Sequence, residues 1–145
     1  MADASEGLTQ NVNAPADKII AALTDFESFP EWQAAILECE VLDRDDQGRG
    51  ERVRMKVDAK VKKVGYIVKY DYSDAPNSIS WDQESGDLSE NRGRHTFTPK
   101  DDGSTDVTVD IVAEVGFFVP GPMKKLIREQ SLKNSIRELK KRVEA

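Results

Sequence analysis

The chain has 145 residues, a length that suits one domain, residues 1–145, with room for a core and a modest cavity. Its formal net charge of −6 argues against binding to duplex nucleic acid, which requires a dominant basic surface. Cys39 is the only cysteine and His95 the only histidine, so an internal disulfide is excluded and a transition-metal site has too few His/Cys ligands. We therefore expect no metal and no cofactor.

The chain shows no targeting segment and no apolar run of membrane-spanning length, and the expected location is cytoplasmic.

Residues 7–13 are a weak strand candidate. Pro15 and Asp17 then start a helix that continues to Thr24, because proline fits a first helical turn and an acid suits its positive end. The aromatic, proline-interrupted run at residues 25–32 predicts a break and a short second helix.

From residue 36 onwards, apolar residues alternate with polar ones, which is typical of strands with one wet face. Turn sequences at residues 45–48, 75–78 and 101–104 separate successive strands, so we predict an antiparallel meander. The inner faces are predicted to carry Leu37, Cys39 and Val41, then Val53, Met55, Val57 and Ala59, then Val64, Tyr66, Val68, Tyr70 and Tyr72, then Ile79 and Trp81, then Gly93, His95 and Phe97, and finally Val107, Val109, Ile111, Ala113 and Val115.

The last long segment, residues 122–143, contains no Gly or Pro after its first residue and predicts one helix. One face carries Leu132, Ile136, Leu139 and Val143. A ridge at i, i+4 spacing connects this face to the start of the segment; it is apolar at both ends, has two serines in its middle and consists of Met123, Ile127, Ser131, Ser135, Leu139 and Val143. A helix that covers a cavity would tolerate such small residues, whereas a helix across a solid core would not. A helix kinked near Glu129, with halves that pack separately, explains the pattern equally well.

Counted through Glu144, this segment is also basic, with eight Lys and Arg residues against three glutamates. The ordinary interpretation is a solvated outer face. The alternative is peripheral contact with an anionic membrane or a partner.

The predicted order is a strand, two short helices, a meander and a terminal helix. This is an α+β architecture in which a curved sheet of about six or seven strands wraps around the last helix. The sequence resembles the START-like polyketide cyclase/dehydrase and lipid-transport proteins (SRPBCC), in the helix-grip superfamily of the birch pollen allergen. The resemblance is carried by residues 13–15 (Asn-Ala-Pro), 25–32, 48–50 (Gly-Arg-Gly), 103–109 and the proline-led terminal helix ending at 139–144. It implies a hydrophobic ligand between the sheet and the last helix.

His95 is the inward residue with the most chemical character, because a neutral imidazole can serve as acid, base or hydrogen-bond partner. A histidine satisfied by a neighbouring backbone or tyrosine oxygen is the simpler interpretation. Polyketide aromatases of the resembled family generally place an arginine among the inward strand residues. Here Arg52 and Arg54 have outward parity, so the strands offer no fixed cation for enolate chemistry. This departure favours binding over catalysis.

We therefore predict binding, with transport as an extension, of a small hydrophobic ligand such as a lipid, quinone or polyketide-like molecule. The first alternative is a polyketide cyclase, aromatase or dehydratase with His95, Tyr66 and Tyr70 as acid/base groups. The second is a protein-interaction module with a filled interior. The oligomeric state and the identity of the ligand do not follow from the sequence. The residues expected to line the ligand cavity are Trp32, Met55, Tyr66, Val68, Tyr70, Trp81, His95, Phe97, Ile111, Met123, Ile127 and Ser131.

Overall fold

A computed structural model describes residues 6–60, 62–115 and 118–144 of the chain. The first strand is followed by a helix, a 3-10 turn and a short second helix, then by six strands and a long last helix. In chain order the elements are β1 (Glu6–Val12), α1 (Ala16–Leu23), the 3-10 turn (Phe26–Ser28), α2 (Phe29–Trp32), β2 (Ile36–Arg44), β3 (Gly50–Asp58), β4 (Lys63–Asp71), β5 (Ser78–Gly86), β6 (Leu88–Pro99), β7 (Thr105–Val115) and α3 (Gly121–Glu144).

The strands form one antiparallel sheet in the order β1-β7-β6-β5-β4-β3-β2. Strands β2 to β7 are therefore a simple meander, as the alternating pattern and the turns predicted, and β1 closes the far edge by pairing with β7. The helix-grip prediction is confirmed: a seven-stranded sheet packs against the long α3, with two short helices after the first strand. Within the described residues, no helix is both long and apolar enough to span a bilayer.

The last helix runs without a break from Gly121 to Glu144, so the chain has one helix here and not two separately packed halves. Its C-terminal half buries the predicted face, Leu132, Ile136, Leu139 and Val143, in the main core. Strands β1, β5, β6 and β7 and helix α1 supply most of the rest of that core, including Val12, Ile19, Phe97, Val107 and Val109.

Polar contacts fix the C-terminal end of α3 to the start of the chain. The Glu144 carboxylate accepts a hydrogen bond from the backbone N–H of Asn13 (2.8 Å), and the Lys140 ammonium donates to the Asn11 carbonyl (2.7 Å). Nearby, the buried Thr105 hydroxyl donates to the Ala14 carbonyl (2.9 Å). The bonds from Glu144 and Lys140 set the position of α3 over the sheet.

A second, smaller core lies under the segment after α1. Phe26 and Phe29 pack there against Val53, Met55 and Val68 of the neighbouring strands. The aromatic run at residues 25–32 thus closes one end of the sheet, because its rings are buried while its acidic residues stay exposed.

The start of β2 differs from the predicted alternation. A register irregularity lies between Ile36 and Glu38 in the pairing with β3. Leu37, predicted to point inward, is 39% exposed, and Ile36 lines the interior. An extra residue in one strand of a pair reverses the facing of those before it, which accounts for the wrong prediction.

The packing of α3 predicts a large effect of truncating its buried face. Leu139→Ala should lower the free energy of unfolding by about 2–5 kcal/mol, because it removes buried carbons from a site held on several sides. Arg137→Ala, an exposed change two residues away, should alter stability by less than about 0.5 kcal/mol. Urea unfolding of both variants measures the difference, and equal destabilisation would contradict this account of the core.

Candidate functional site

Two adjoining cavities lie between the concave face of the sheet and α3. The outer chamber has a volume of about 370 Å³ and the inner chamber about 170 Å³. They share six lining residues, which mark the place where the two chambers adjoin, here called the narrowing. The shared residues are Gln33, Ile36, Tyr66, Trp81, Ile111 and Ser135.

The N-terminal half of α3 covers the outer chamber. Ile127 and Ser131 line it, and Ser135 reaches both chambers. Ser131 precedes the buried Leu132 by one residue, which turns it about 100° around the helix axis from the core-facing stripe. The small side chains of the two serines therefore face the cavity, as expected for a helix that covers a space.

Aromatic rings form most of the inner chamber. Tyr70, Trp81 and His95 stand on adjacent strands, with ring centroids 5.8 Å apart for Tyr70–Trp81 and 5.2 Å apart for Trp81–His95. The pairing of β4 with β5 sets Tyr70 directly opposite Trp81. From the helical side, Trp32 closes the chamber, and its indole N–H donates to the Ser28 hydroxyl (3.1 Å).

Gly93 determines where the Trp81 ring lies. The two residues are paired between β5 and β6, and a Cβ at Gly93 would stand 2.2 Å from Trp81 Cζ2. The absence of a side chain lets the indole lie across β6 and reach the ring of His95. An inward glycine among aromatic residues is thus a packing requirement of this wall.

Three tyrosines point inward, but they do not share one role. The Tyr72 hydroxyl donates to the Gly50 carbonyl (2.6 Å), so its partner is backbone and not the cavity. Burial raises the pKa of Tyr66 to about 12 and that of Tyr70 well above its ordinary value. Both therefore stay neutral phenols at physiological pH and can donate hydrogen bonds.

His95 lies on the inner chamber between the rings of Trp81 and Phe97. Burial lowers its pKa from 6.5 to about 4, because the enclosed site disfavours the charged imidazolium. The ring is neutral at physiological pH. The neutral ring can donate one hydrogen bond and accept one, but it does not carry the extra proton that a general acid gives up.

Two amide side chains that the sequence interpretation missed, on β5 and β6, have buried polar atoms. Asn91 lines the outer chamber and is only 7% exposed. Its Nδ2 atom and the Oε1 atom of Gln83 are both buried without a hydrogen-bond partner among the described residues. The Gln83 Nε2 donates to the Leu88 carbonyl (2.8 Å). Asn91 also lies close enough to the Tyr66 hydroxyl to offset part of its pKa rise.

Charged residues line the outer chamber towards solvent. The Glu114 carboxylate forms ion pairs with Lys124 and Arg128 of α3, each at 3.1 Å. Lys60 contributes to the opposite wall. Glu138, also on the lining, accepts the backbone N–H of Ala34 (3.1 Å) and so joins α3 to the loop after α2.

The two strand arginines lie outside the cavity, as their parity predicted. Arg52 pairs with Asp43 and Glu84, and Arg54 pairs with Glu40, on the outer face of the sheet. The inward strand positions described here supply no cation. Arg128 and Lys124 supply positive charge from the helix instead, which strand parity alone could not reveal.

Ten of the twelve predicted lining residues border these chambers, although their part in ligand binding remains a prediction. Trp32, Met55, Val68, Tyr70 and His95 border the inner chamber, Ile127 and Ser131 the outer, and Tyr66, Trp81 and Ile111 both.

The other two predicted residues lie elsewhere. Phe97 is buried in the main core, one step along β6 beyond the chamber. Met123 is 44% exposed at the start of α3, outside the described cavities.

A curved sheet that holds a cavity against its last helix defines the class of helix-grip proteins. The sequence matches the family described as polyketide cyclase / dehydrase and lipid transport over residues 7–144. The chain belongs to that family.

Solved structures agree with this assignment. A START superfamily protein from Mycobacterium smegmatis has a TM-score of 0.87 at 31% identity, with 97% of each chain covered. A protein from Thermus thermophilus has a TM-score of 0.81 at 20% identity, with 96% of each chain covered. The Zhui aromatase/cyclase from Streptomyces sp. R1128 has a TM-score of 0.79 at 19% identity, covering 97% of this chain and 93% of that one. The last two show likeness of fold alone. No curated protein matches the sequence.

The lowered pKa of His95 predicts a pH-dependent stability. Between pH 4 and 6.5 the unfolded chain binds a proton at this residue that the folded chain does not, so acidification favours unfolding. The contribution is complete above pH 6.5 and is lost as the pH falls towards 4. From His95 alone, the free energy of unfolding should be about 2 kcal/mol lower at pH 5 than at pH 7.

Urea unfolding of wild type and His95→Gln at both pH values isolates this contribution, because carboxylates titrate equally in the two proteins. An NMR titration of the His95 imidazole in the folded protein measures its pKa directly and should give a midpoint near pH 4. Identical pH dependence in the two proteins, or a midpoint near 6.5, would show that the ring is not enclosed as described.

Proposed function

We propose that the protein binds a small hydrophobic ligand in the two adjoining chambers. The single observation that carries the proposal is the pair of adjoining chambers between sheet and helix, lined chiefly by apolar and aromatic side chains. Ligand sites typically occupy about 300–1,000 Å³ and combine apolar walls with a few polar groups. The outer chamber alone reaches this size, and burial of apolar surface there supplies affinity without any reacting group.

The sizes of the chambers favour a ligand with two parts. A cavity of about 150 Å³ is sufficient for a benzene-sized molecule, so the inner chamber suits one ring. Its aromatic walls favour stacked or edge-on contacts with such a ring. The larger outer chamber suits an aliphatic or multi-ring remainder. A lipid, a quinone or a polyketide-like molecule fits this description.

The polar groups favour a ligand with a carbonyl or hydroxyl oxygen. Tyr66 lies where the chambers meet and keeps its proton, and Asn91 stands beside it with an amide donor that no described residue satisfies. A buried donor without a partner is costly, so a ligand oxygen that accepts from it would gain affinity. This pair would orient the ligand at the narrowing.

Filling the narrowing should weaken binding. Ser135→Phe places a ring where the chambers meet and should weaken ligand binding at least about tenfold by loss of space. Ser73→Phe introduces the same side chain at an exposed position outside the described cavities and should leave binding unchanged. Titration with oleate and with a naphthoquinone, followed by Trp32 and Trp81 fluorescence, gives the affinities.

Native mass spectrometry of freshly purified wild type should also show a co-purified hydrophobic compound, absent from Ser135→Phe. If no probe produces a saturable fluorescence change and no compound co-purifies, the protein is not a hydrophobic-ligand carrier and the proposal fails.

A second candidate function, polyketide cyclisation or dehydration, is favoured by one observation. Tyr66, Tyr70 and His95 all face the inner chamber, where a tyrosine proton could polarise a carbonyl while the neutral imidazole accepts a proton. The low pKa of His95 makes it a weak base, which places this function second.

Turnover of a poly-β-ketone thioester distinguishes the two functions. As an enzyme, the protein should convert the thioester and lose this activity in His95→Ala while still binding it. As a carrier, it should bind the thioester without conversion in either form.

A further inference from the structure

Large apolar side chains are concentrated on the surface at the start of α3. Five large hydrophobic residues are exposed in the described structure, and three of them lie within residues 118–126. Phe118 is 89% exposed, Leu126 64% and Met123 44%. Single exposed hydrophobics are ordinary, but three within one short stretch at the start of a helix point to an interaction surface.

Basic residues continue the same outward line along α3. At about 100° per residue, Met123, Leu126, Lys133, Arg137 and Lys141 fall within an arc of about 80°. Gln130 also lies in this arc. Glu144, its one acidic residue, is held at the far end by Asn13 and Lys140. We define the docking face as Phe118, Met123, Leu126, Lys133, Arg137 and Lys141.

The charges of the docking face are available to a partner. Lys133, Arg137 and Lys141 form no ion pair within the part of the chain that the structure describes. The helix carries eight basic residues against three acidic ones, although the whole chain has a net charge of −6. The positive field is therefore local to α3 and is not a property of the general surface.

The docking face borders the opening of the outer chamber. Ile127 and Arg128 line that chamber and directly follow Leu126, while Val119 lines it directly after Phe118. Around the helix axis, the lining residue Ile127 lies only about 40° from Met123, so the cavity side of α3 adjoins the docking face along this edge. Anything that covers the docking face would also adjoin the mouth of the cavity.

We infer that the docking face binds an anionic lipid bilayer and holds the mouth of the cavity against it. Protruding apolar side chains can enter the acyl boundary while a row of Lys and Arg lies over the phosphate groups. A protein partner is the less suitable occupant, because lysine is depleted at protein interfaces. A hydrophobic ligand would then pass between bilayer and cavity without crossing bulk water.

Co-sedimentation with vesicles tests the inference. The wild-type protein should bind vesicles of phosphatidylcholine with phosphatidylserine more tightly than pure phosphatidylcholine, and added salt should weaken the binding. The double variant Phe118→Ser/Leu126→Ser and the double variant Lys133→Glu/Arg137→Glu should each lose at least about tenfold in partitioning.

Lys56→Glu/Lys69→Glu is the matched charge control. It makes the same change in net charge at exposed positions on the outer face of the sheet, and it should bind vesicles as wild type does. Equal losses in the control, or partitioning that ignores phosphatidylserine, would overturn the inference. So would concentration-dependent self-association that Phe118→Ser/Leu126→Ser abolishes without any vesicle binding, since the docking face would then join two copies.

The inference does not depend on the proposed ligand function, and the two can fail separately. Vesicle-free titration of Phe118→Ser/Leu126→Ser with oleate should give wild-type affinity, because neither residue lines the described chambers. Loss of both activities in that variant would mean that the substitutions distort α3. In that event, the Lys133→Glu/Arg137→Glu variant decides the matter, because its sites are exposed and solvated.

Discussion

The packing of the C-terminal half of α3 into the main core is the contact on which the rest of the structure depends. Leu132, Ile136, Leu139 and Val143 fix the rotation of the helix about its axis, and the bonds from Glu144 and Lys140 fix its position along that axis. Once these are set, the N-terminal half has no freedom to collapse onto the sheet. The small side chains of Ser131 and Ser135 then leave the space that forms the outer chamber.

Strand register determines the chemistry inside. The meander aligns Tyr70 with Trp81 and sets Trp81 over Gly93, so one row of rings crosses three strands. Aromatic rings supply the apolar wall of the inner chamber, whereas Asn91 brings a buried amide to the outer chamber. The interior is therefore chemically uneven, with its amide and charged groups on the outer chamber.

The elements were predictable from local sequence, because alternation, turn residues and a proline-led helix are short-range signals. Inward parity also placed most of the aromatic residues correctly. The exceptions depend on three-dimensional details that the alternation of apolar and polar residues does not reveal. The register irregularity after Ile36 turns Ile36 inward and Leu37 outward. Phe97 lies in the main core, where the sheet packs directly against α3.

The polar parts of the candidate site were the hardest to predict. Met123 lies outside the cavity because the start of α3 turns it outward. Arg128 and Lys124 border the outer chamber for a related reason: helix rotation is set by distant core contacts and cannot be read from neighbouring residues. Gln83 and Asn91 escaped notice because an amide in a strand gives no sequence signal until its neighbour across the sheet is known.

The protonation states of the inner chamber would determine how a ligand is oriented. Burial raises the pKa of Tyr66 and Tyr70 and lowers that of His95. All three groups are uncharged at neutral pH, so the inner wall offers no counter-ion to a molecule that arrives with a formal charge. Ionised substituents of a ligand would stay in the outer chamber, beside Lys124 and Arg128. Because the inner chamber is uncharged, an amphipathic molecule would enter with its uncharged end first. Charge would thus set its orientation before the shape of the chamber selects among molecules.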